Sequence, residues 1–143
     1  MLQTGWRPRR TIILASWDAE EYGLIGSTEW VEDNIDWLKE EAAVYINCDV
    51  GVAGPHFSAA ASPSLNKILY EVTGMINDPR TGKSVYDAWL ERSNAVGVPT
   101  EKPAIDVLGS GSDFTAFLDH AGIAAMHLGF EGNYGVYHSV YDR

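Results

Sequence analysis

The sequence predicts an α/β fold in which a layered, mostly parallel sheet is flanked by helices. Short apolar runs such as residues 11–17 and 43–50 are typical of buried strands. The segments between the runs carry apolar residues at helical spacing. Strands that alternate with helices favour a largely parallel sheet covered by helices. The chain has 143 residues, about the size of one domain, so we treat residues 1–143 as a single segment.

The first part of the chain shows strands and helices in alternation. The apolar runs and the helical spacing between them set the approximate boundaries. The predicted elements, in chain order, are a strand at residues 11–17, a helix near residues 24–34 that continues through 36–41, a strand at residues 43–50 and a short strand at residues 56–60.

Ser62-Pro63 marks the start of the next helix, because it combines an N-cap residue with proline at the first helical position. This helix presents an apolar stripe to the core: Leu65, Ile68, Leu69, Val72 and Ile76. The remaining predicted elements are a helix at 84–92, a loop at 94–103, a short strand at 105–108, a helix with Phe114, Phe117, Leu118 and Ala121 on one face, a strand at 123–128 and a glycine-rich loop at 129–137.

The composition argues against several classes of partner. A net charge of −10 is unfavourable for binding nucleic-acid backbones or anionic membranes. The single cysteine, Cys48, excludes an intrachain disulfide and a cysteine-rich zinc site. No apolar run approaches the roughly 20 residues of a membrane span, and the first residues lack the apolar core of a signal peptide. We expect neither nucleic acid nor a membrane to contact this segment.

Candidate metal ligands follow three of the predicted strands. Glu20 and Glu21 come after the first strand, Asp49 ends the second, and His138 lies beyond the last. The carboxyl ends of parallel strands meet at one edge of a sheet, and carboxylates and imidazole are ligands that suit zinc. Adjacent residues at a turn point in different directions, so one carboxylate can hold a metal while its neighbour reaches a water. The pattern predicts a metal site.

Five sequence blocks resemble the glutamate-carboxypeptidase branch of the M28 zinc peptidases. They occur in family order over nearly the whole chain: residues 5–21 ending in Asp18-Ala19-Glu20-Glu21, Gly26-Ser27-Thr28-Glu29-Trp30, Tyr45-Ile46-Asn47-Cys48-Asp49, Leu108-Gly109-Ser110-Gly111-Ser112-Asp113-Phe114 and Tyr137-His138-Ser139-Val140-Tyr141. The resemblance implies that the segment is an incomplete, C-terminal part of an aminopeptidase-like, di-zinc exopeptidase domain.

The resemblance also implies roles for individual residues. Glu20 is expected to be the general acid and base, Glu21 and His138 ligands of one zinc, and Asp49 a ligand of the second. Three further residues are expected at the substrate: Gly111, Ser112 and Tyr137. Two zinc ions would polarise the scissile carbonyl, while an unligated glutamate moves the proton of the attacking water.

The resemblance is incomplete in ways that affect these expectations. The family's other two ligands come from a His-x-Asp segment, which does not occur in this chain. The isolated segment is therefore expected to lack peptidase activity. His127 and Gly129 stand where the family has arginines that grip acidic side chains, so no strong preference for acidic residues is expected there. Glu29 and Glu32 share a helix face and match positions of a structural calcium in the family.

The leading interpretation is a carboxypeptidase-like exopeptidase acting on peptides, and an aminopeptidase of the same fold is the near alternative. A non-catalytic, transferrin-receptor-like binding domain is the alternative from another class. The retained Glu20, Glu21, Asp49 and His138 argue against it, because a binding module needs no free base beside a ligand. Unpaired strand edges predict self-association of the isolated segment. The resemblance suggests an extracellular or membrane-anchored ectoenzyme.

Overall fold

Three strands of the described chain form one mixed sheet. The structure is a computed structural model that describes residues 5–142. Residues 1–4 and 143, which are the two ends of the segment predicted as residues 1–143, lie outside the described residues. The strands are β1 (Tyr45–Asn47), β2 (His56–Ala61) and β3 (Ala125–Glu131). β3 lies in the centre, parallel to β1 and antiparallel to β2. The predicted α/β class and these three strands are confirmed.

A mostly parallel sheet is not what residues 5–142 form, because one strand pair is parallel and the other antiparallel. A parallel crossover requires a connection of about a dozen residues or more. Residues 48–55, which join β1 to β2, form a shorter connection. β2 therefore returns in the opposite direction along the far side of β3.

The prediction of a strand at residues 11–17 is wrong for the described chain. The segment has no assigned secondary structure, and Leu14 is 93% exposed. A strand needs a partner backbone at hydrogen-bonding distance, and no described segment supplies one. The segment instead borders a largely apolar cavity of about 610 Å³, whose other walls include Trp30, Leu38, Tyr45 and Phe117. The apolar run predicted as a buried strand therefore lines this cavity instead of pairing in the sheet.

Four α-helices lie where the apolar spacing predicted them. They are α1 (Ile25–Asp33), α2 (Ile35–Glu41), α3 (Asn66–Met75) and α4 (Val85–Val96). Ser84 caps α4, because its hydroxyl oxygen accepts a hydrogen bond from the backbone N–H of Asp87 at 3.0 Å. α4 continues beyond the predicted end at residue 92, into the segment predicted as a loop. None of the helices in residues 5–142 has the length and apolar character needed to cross a bilayer.

Ser62 does not cap a helix with its side chain. A 3₁₀ turn at Pro63–Leu65 precedes α3, and the Ser62 hydroxyl makes no capping bond to it. The hydroxyl oxygen accepts instead from the backbone N–H of Ala125 at 3.0 Å, and the Ser62 N–H donates to the Ala125 carbonyl at 2.8 Å. Ser62 therefore ties the end of β2 to the start of β3.

The last predicted helix is a π-helix over Ala116–His120, an uncommon form that is frequent at functional sites. Its wide turn is closed by a hydrogen bond from Ala121 N–H to the carbonyl of Ala116 at 3.2 Å. The predicted short strand at residues 105–108 is reduced to one isolated bridge between Asp106 and Ala60. β3 extends to Glu131, into the predicted glycine-rich loop.

Two apolar clusters form the core. The first comprises Val31, Leu38, Ala116, Phe117, Ala121 and Ile123, and the second comprises Ala59, Ala61, Leu69, Trp89 and Met126. Alternate side chains of a strand point to opposite faces. Since Met126 of β3 packs in the second cluster, His127, Gly129 and Glu131 face the other side of the sheet, where the candidate site lies.

Candidate active site

Glu20 and Glu21 begin a 3₁₀ turn at Glu20–Tyr22, directly after the extended segment 11–17. Ala19 before the turn has φ 55° and Gly23 after it has φ 102°. Left-handed conformations at both ends reverse the chain sharply and separate the directions of the two glutamates.

Strained backbone is concentrated at the predicted site residues. Four non-glycine residues in the described chain have positive φ, which is uncommon and often marks functional sites. Three of them are Ala19 beside Glu20, Val50 beside Asp49, and His138 itself, whose φ is 57°. Positive φ values among non-glycine residues therefore occur at one predicted ligand, His138, and next to two other predicted site residues, Glu20 and Asp49.

Glu21 and His138 converge although they are far apart in the sequence. The Nε2 atom of His138 lies 2.8 Å from the Oε1 atom of Glu21, and both side chains are about half exposed. The ring of Tyr137 stacks on that of His138 with 3.9 Å between ring centroids. An exposed carboxylate and an exposed imidazole with adjacent ligand atoms form a pair that a cation can reach from solvent.

The charges of neighbouring carboxylates act on Glu20. Partial desolvation raises the pKa of the Glu20 carboxyl, and the charges of Glu21, Asp49 and Asp113 raise it further, while His138 acts in the opposite direction. A carboxyl that holds its proton at higher pH is better suited to general acid–base work near neutrality.

Tyr137 experiences the same group of charges. Partial desolvation raises the pKa of its hydroxyl, and the carboxylates of Asp49 and Glu21 raise it further. The Tyr137 hydroxyl therefore stays protonated and available as a hydrogen-bond donor over a wide pH range.

A buried chain of hydrogen bonds leads to Asp49. The indole N–H of Trp17 donates to the hydroxyl of Tyr45 at 3.1 Å, and this hydroxyl donates to Oδ1 of Asn47 at 3.1 Å. The amide nitrogen of Asn47 donates to the hydroxyl of Ser112 at 2.9 Å, and Ser112 donates to Oδ2 of Asp49 at 2.8 Å. Asn47 and Ser112 are 3% and 4% exposed. The Asp49 carboxylate is thereby fixed from within the fold.

The same Asn47 amide nitrogen also lies 2.8 Å from Nδ1 of His127. Because the amide nitrogen is a donor, Nδ1 accepts and the imidazole hydrogen resides on Nε2. The contact ties the His127 ring to the hydrogen bonds that lead through Asn47 and Ser112 to Asp49.

A cleft of about 650 Å³ adjoins these residues on the face of the sheet opposite the second apolar cluster. Gly111, Ser112 and Tyr137, the residues predicted to contact substrate, all line it together with Asp49. Gly111 has φ 100°, a conformation that favours glycine. Of the predicted metal ligands, Asp49 lines the cleft, and Tyr137 in its wall stacks on the ring of His138.

The residues present are compatible with zinc. Two ligand atoms about 2.1 Å from a tetrahedral zinc lie roughly 3.4 Å apart, so the Glu21–His138 pair would open only slightly to share an ion. Within residues 5–142, no group of three or more His, Cys, Asp or Glu side chains is arranged to hold a metal. Asp49 does not join that pair and accepts a hydrogen bond from Ser112 instead, so its role as a ligand of a second ion stays a prediction.

Glu29 and Glu32 are both exposed on α1. Oε1 of Glu32 lies 3.8 Å from Nε2 of His120, so its nearest potential cation is a histidine ring. No third acidic side chain of the described residues joins the two. The calcium site stays a prediction with two candidate ligands.

Sequence reasoning did not assign roles to Asn47 and Asp113. Asn47 alternates with Tyr45 and Asp49, so the strand period of two already put all three on one face. Asp113 is 9% exposed, and its Oδ1 atom has no hydrogen-bond partner among the described residues. The sequence signal for Asp113 was an acidic residue directly after residues 109–112, which have the sequence Gly-Ser-Gly-Ser.

Comparison with known proteins gives a consistent result. The model of peptidase family M28 matches residues 1–143. The chain is 47% identical over 143 residues to the probable glutamate carboxypeptidase VP8 of Zea mays, covering 99% of this chain and 19% of that protein. It is 43% identical over 139 residues to the probable glutamate carboxypeptidase LAMP1 of Arabidopsis thaliana, covering 96% and 20%.

Aminopeptidase NAALADL1 of Mus musculus is 38% identical over 148 residues, covering 96% of this chain and 20% of that protein. The chain thus spans about one fifth of the length of these relatives. The relatives include proteins named for activity at either end of a peptide.

Proposed function

The chain belongs to peptidase family M28, and from this premise we propose that it is part of the catalytic domain of a zinc-dependent exopeptidase similar to the glutamate carboxypeptidases. The observation that carries the proposal is the convergence of Glu21 and His138 at 2.8 Å with Glu20 beside them. One acid contacts the imidazole while its sequence neighbour carries a raised pKa.

The proposed division of labour follows from these contacts. Glu21 and His138 would hold one zinc and Asp49 a second, and bound zinc would polarise the scissile carbonyl and make a bound water more acidic. The Glu20 carboxylate accepts the proton of the attacking water and delivers it to the leaving amine nitrogen. The Tyr137 hydroxyl donates a hydrogen bond to the reacting carbonyl oxygen. Ser112 keeps the Asp49 carboxylate in place.

We propose further that the 143-residue chain binds zinc weakly and lacks turnover by itself. Glu21 and His138 provide two ligands for one ion and Asp49 one for the other, whereas zinc sites use about four. Metal affinity falls steeply as ligands are removed. The non-catalytic alternative is not favoured, since the relatives above are named as peptidases.

The test uses the full-length protein and blocked peptides. Chelation should abolish hydrolysis, and added zinc should restore it. A carboxypeptidase cleaves an N-acetylated peptide with a free C-terminus but not a C-terminally amidated peptide, and an aminopeptidase shows the reverse pattern. Hydrolysis that survives complete removal of metal, or cleavage of peptides blocked at both ends, would contradict the proposal.

A further inference from the structure

We propose that the cleft lined by Asp49 and Tyr137 selects a substrate residue with a basic side chain, lysine or arginine. Glu131 is the residue that selects it. This inference rests on the proposed peptidase function, and it assigns a substrate class to the same site. It depends on where Glu131 lies, on what holds its carboxylate and on which other charges line the cleft.

Glu131 lies at the end of β3 and lines the cleft. The strand alternation puts it on the same face as His127 and Gly129. The hydroxyl of Ser58, on the neighbouring strand β2, donates to Oε1 of Glu131 at 2.7 Å. Ser58 also lines the cleft. The carboxylate is thus held against the cleft wall, and its second oxygen is available to a ligand.

The charge of the cleft is negative. Among the described residues that line it, the carboxylates are those of Asp49 and Glu131, and the single side chain able to carry a positive charge is His127. The Nδ1 atom of His127 is engaged by the amide nitrogen of Asn47 at 2.8 Å. The Asp49 carboxylate accepts a hydrogen bond from Ser112 and is one of the proposed zinc ligands. Glu131 therefore supplies the free charge that a substrate side chain meets.

The floor between these groups is built from small residues. Gly129 of β3 pairs with Ser58 of β2, and Ala60 of β2 pairs with His127. Small side chains leave room for a long substrate side chain over the sheet, and an ammonium or guanidinium group at its end can pair with the Glu131 carboxylate. An acidic side chain in the same place would meet the Glu131 carboxylate and be repelled.

The experiment measures binding and turnover separately in the full-length protein. Dipeptides Ala-Lys, Ala-norleucine and Ala-Glu, and the same pairs in reversed order, are titrated by calorimetry into the Glu20→Gln protein and assayed with the unchanged protein. Norleucine matches the lysine stem without its charge. We expect lysine probes to bind about fivefold more tightly than norleucine probes, the effect of a partly exposed ion pair.

The variants are chosen to separate charge from folding. Glu131→Gln should remove the advantage of lysine and leave norleucine binding unchanged, and Glu131→Lys should favour the glutamate probe. Glu71→Gln on α3, which does not line the cleft, is the matched control and should change nothing. Selective binding of lysine without hydrolysis would count against the peptidase function but support this inference. Equal binding of lysine and norleucine, absence of binding by any probe, preference for glutamate in the unchanged protein, or equal losses in Glu131→Gln would overturn it.

Discussion

The imidazole of His138 lies 2.8 Å from the carboxylate of Glu21, so two residues that are far apart in the sequence meet at one point. Glu20, next to Glu21, does not take part in this contact. The arrangement separates a pair suited to hold a cation from an acid suited to move protons, and the first prediction tests that separation.

Replacement of Glu20 should abolish turnover without loss of zinc. In the full-length protein, Glu20→Gln removes the group that moves the proton, and loss of a general base typically costs on the order of a hundredfold or more in rate. Metal analysis should find the zinc content unchanged, whereas Glu21→Gln should lower it. If zinc is lost with Glu20→Gln and kept with Glu21→Gln, the two roles are reversed.

Replacement of Asn47 should destabilise the fold and loosen Asp49 together. Asn47→Leu keeps the approximate size but leaves Tyr45, Ser112 and His127 without their shared partner. Unpartnered buried polar groups cost about 1–3 kcal/mol each, so we expect a loss of at least 2 kcal/mol in urea unfolding. Tyr45→Phe removes one hydroxyl and should cost less. Unchanged stability and unchanged zinc affinity in Asn47→Leu would show that the network is not structural.

Asp78 should stabilise the protein at neutral pH but not in acid. The backbone N–H of Arg80 donates to Oδ1 of Asp78 at 2.9 Å, and this bond, with the Arg80 guanidinium, holds the pKa of the Asp78 carboxyl below its ordinary value of 3.8. A carboxyl with a lowered folded-state pKa contributes stability above its unfolded pKa and loses it as the pH falls through the folded value.

Asp78→Asn should therefore lower the free energy of unfolding at pH 7, and the difference from the unchanged protein should shrink at pH 3. Urea unfolding at both pH values measures this, and Asp119→Asn, at an exposed position, is the control for removal of one charge. A difference that grows as the pH falls would contradict the sign of the shift.

The isolated 143-residue chain should self-associate. Residues 11–17 are extended without strand partners, Leu14 is 93% exposed, and Ile46 on β1 is 53% exposed. Unpaired edges and apolar patches of this kind favour association. Light scattering at micromolar concentration should show dimers or larger species. Leu14→Lys should increase the monomer fraction. Met75→Lys is the control, because it also replaces an exposed apolar side chain but lies at the end of α3, and it should not change the monomer fraction. A folded monomer of the unchanged chain would refute the prediction.

Helices were predictable because their signals are local. The spacing of apolar residues, and at α4 the capping residue Ser84, lie within the helix itself, so neighbouring elements were not needed to place them. A strand depends on its partner. The apolar run at residues 11–17 carries a strand signal, but the described chain offers no backbone for it to pair with. Ser62 likewise carries a cap signal and is drawn instead into bonds with Ala125.

The candidate site was predictable in outline and not in detail. Glu21 and His138 lie together, as one shared site requires, but the predicted reason for it is not observed, because residues 11–17 form no strand. The role of Asn47 was missed because its partners Ser112 and His127 are distant in sequence, and only the fold shows that one amide reaches both. Glu131 was missed for a similar reason, since its hold on the cleft wall depends on Ser58 of another strand.

The buried chain of hydrogen bonds from Trp17 to Asp49 has only one possible direction. An indole N–H can only donate, and an ionised carboxylate can only accept, so every hydroxyl and amide between them must point towards Asp49. Rotation of any intermediate group would set a donor against a donor. Bonds aligned in this way polarise one another, so the fixed donor of Trp17 and the acceptor of Asp49 together determine how the hydroxyls of Tyr45 and Ser112 and the amide of Asn47 are oriented.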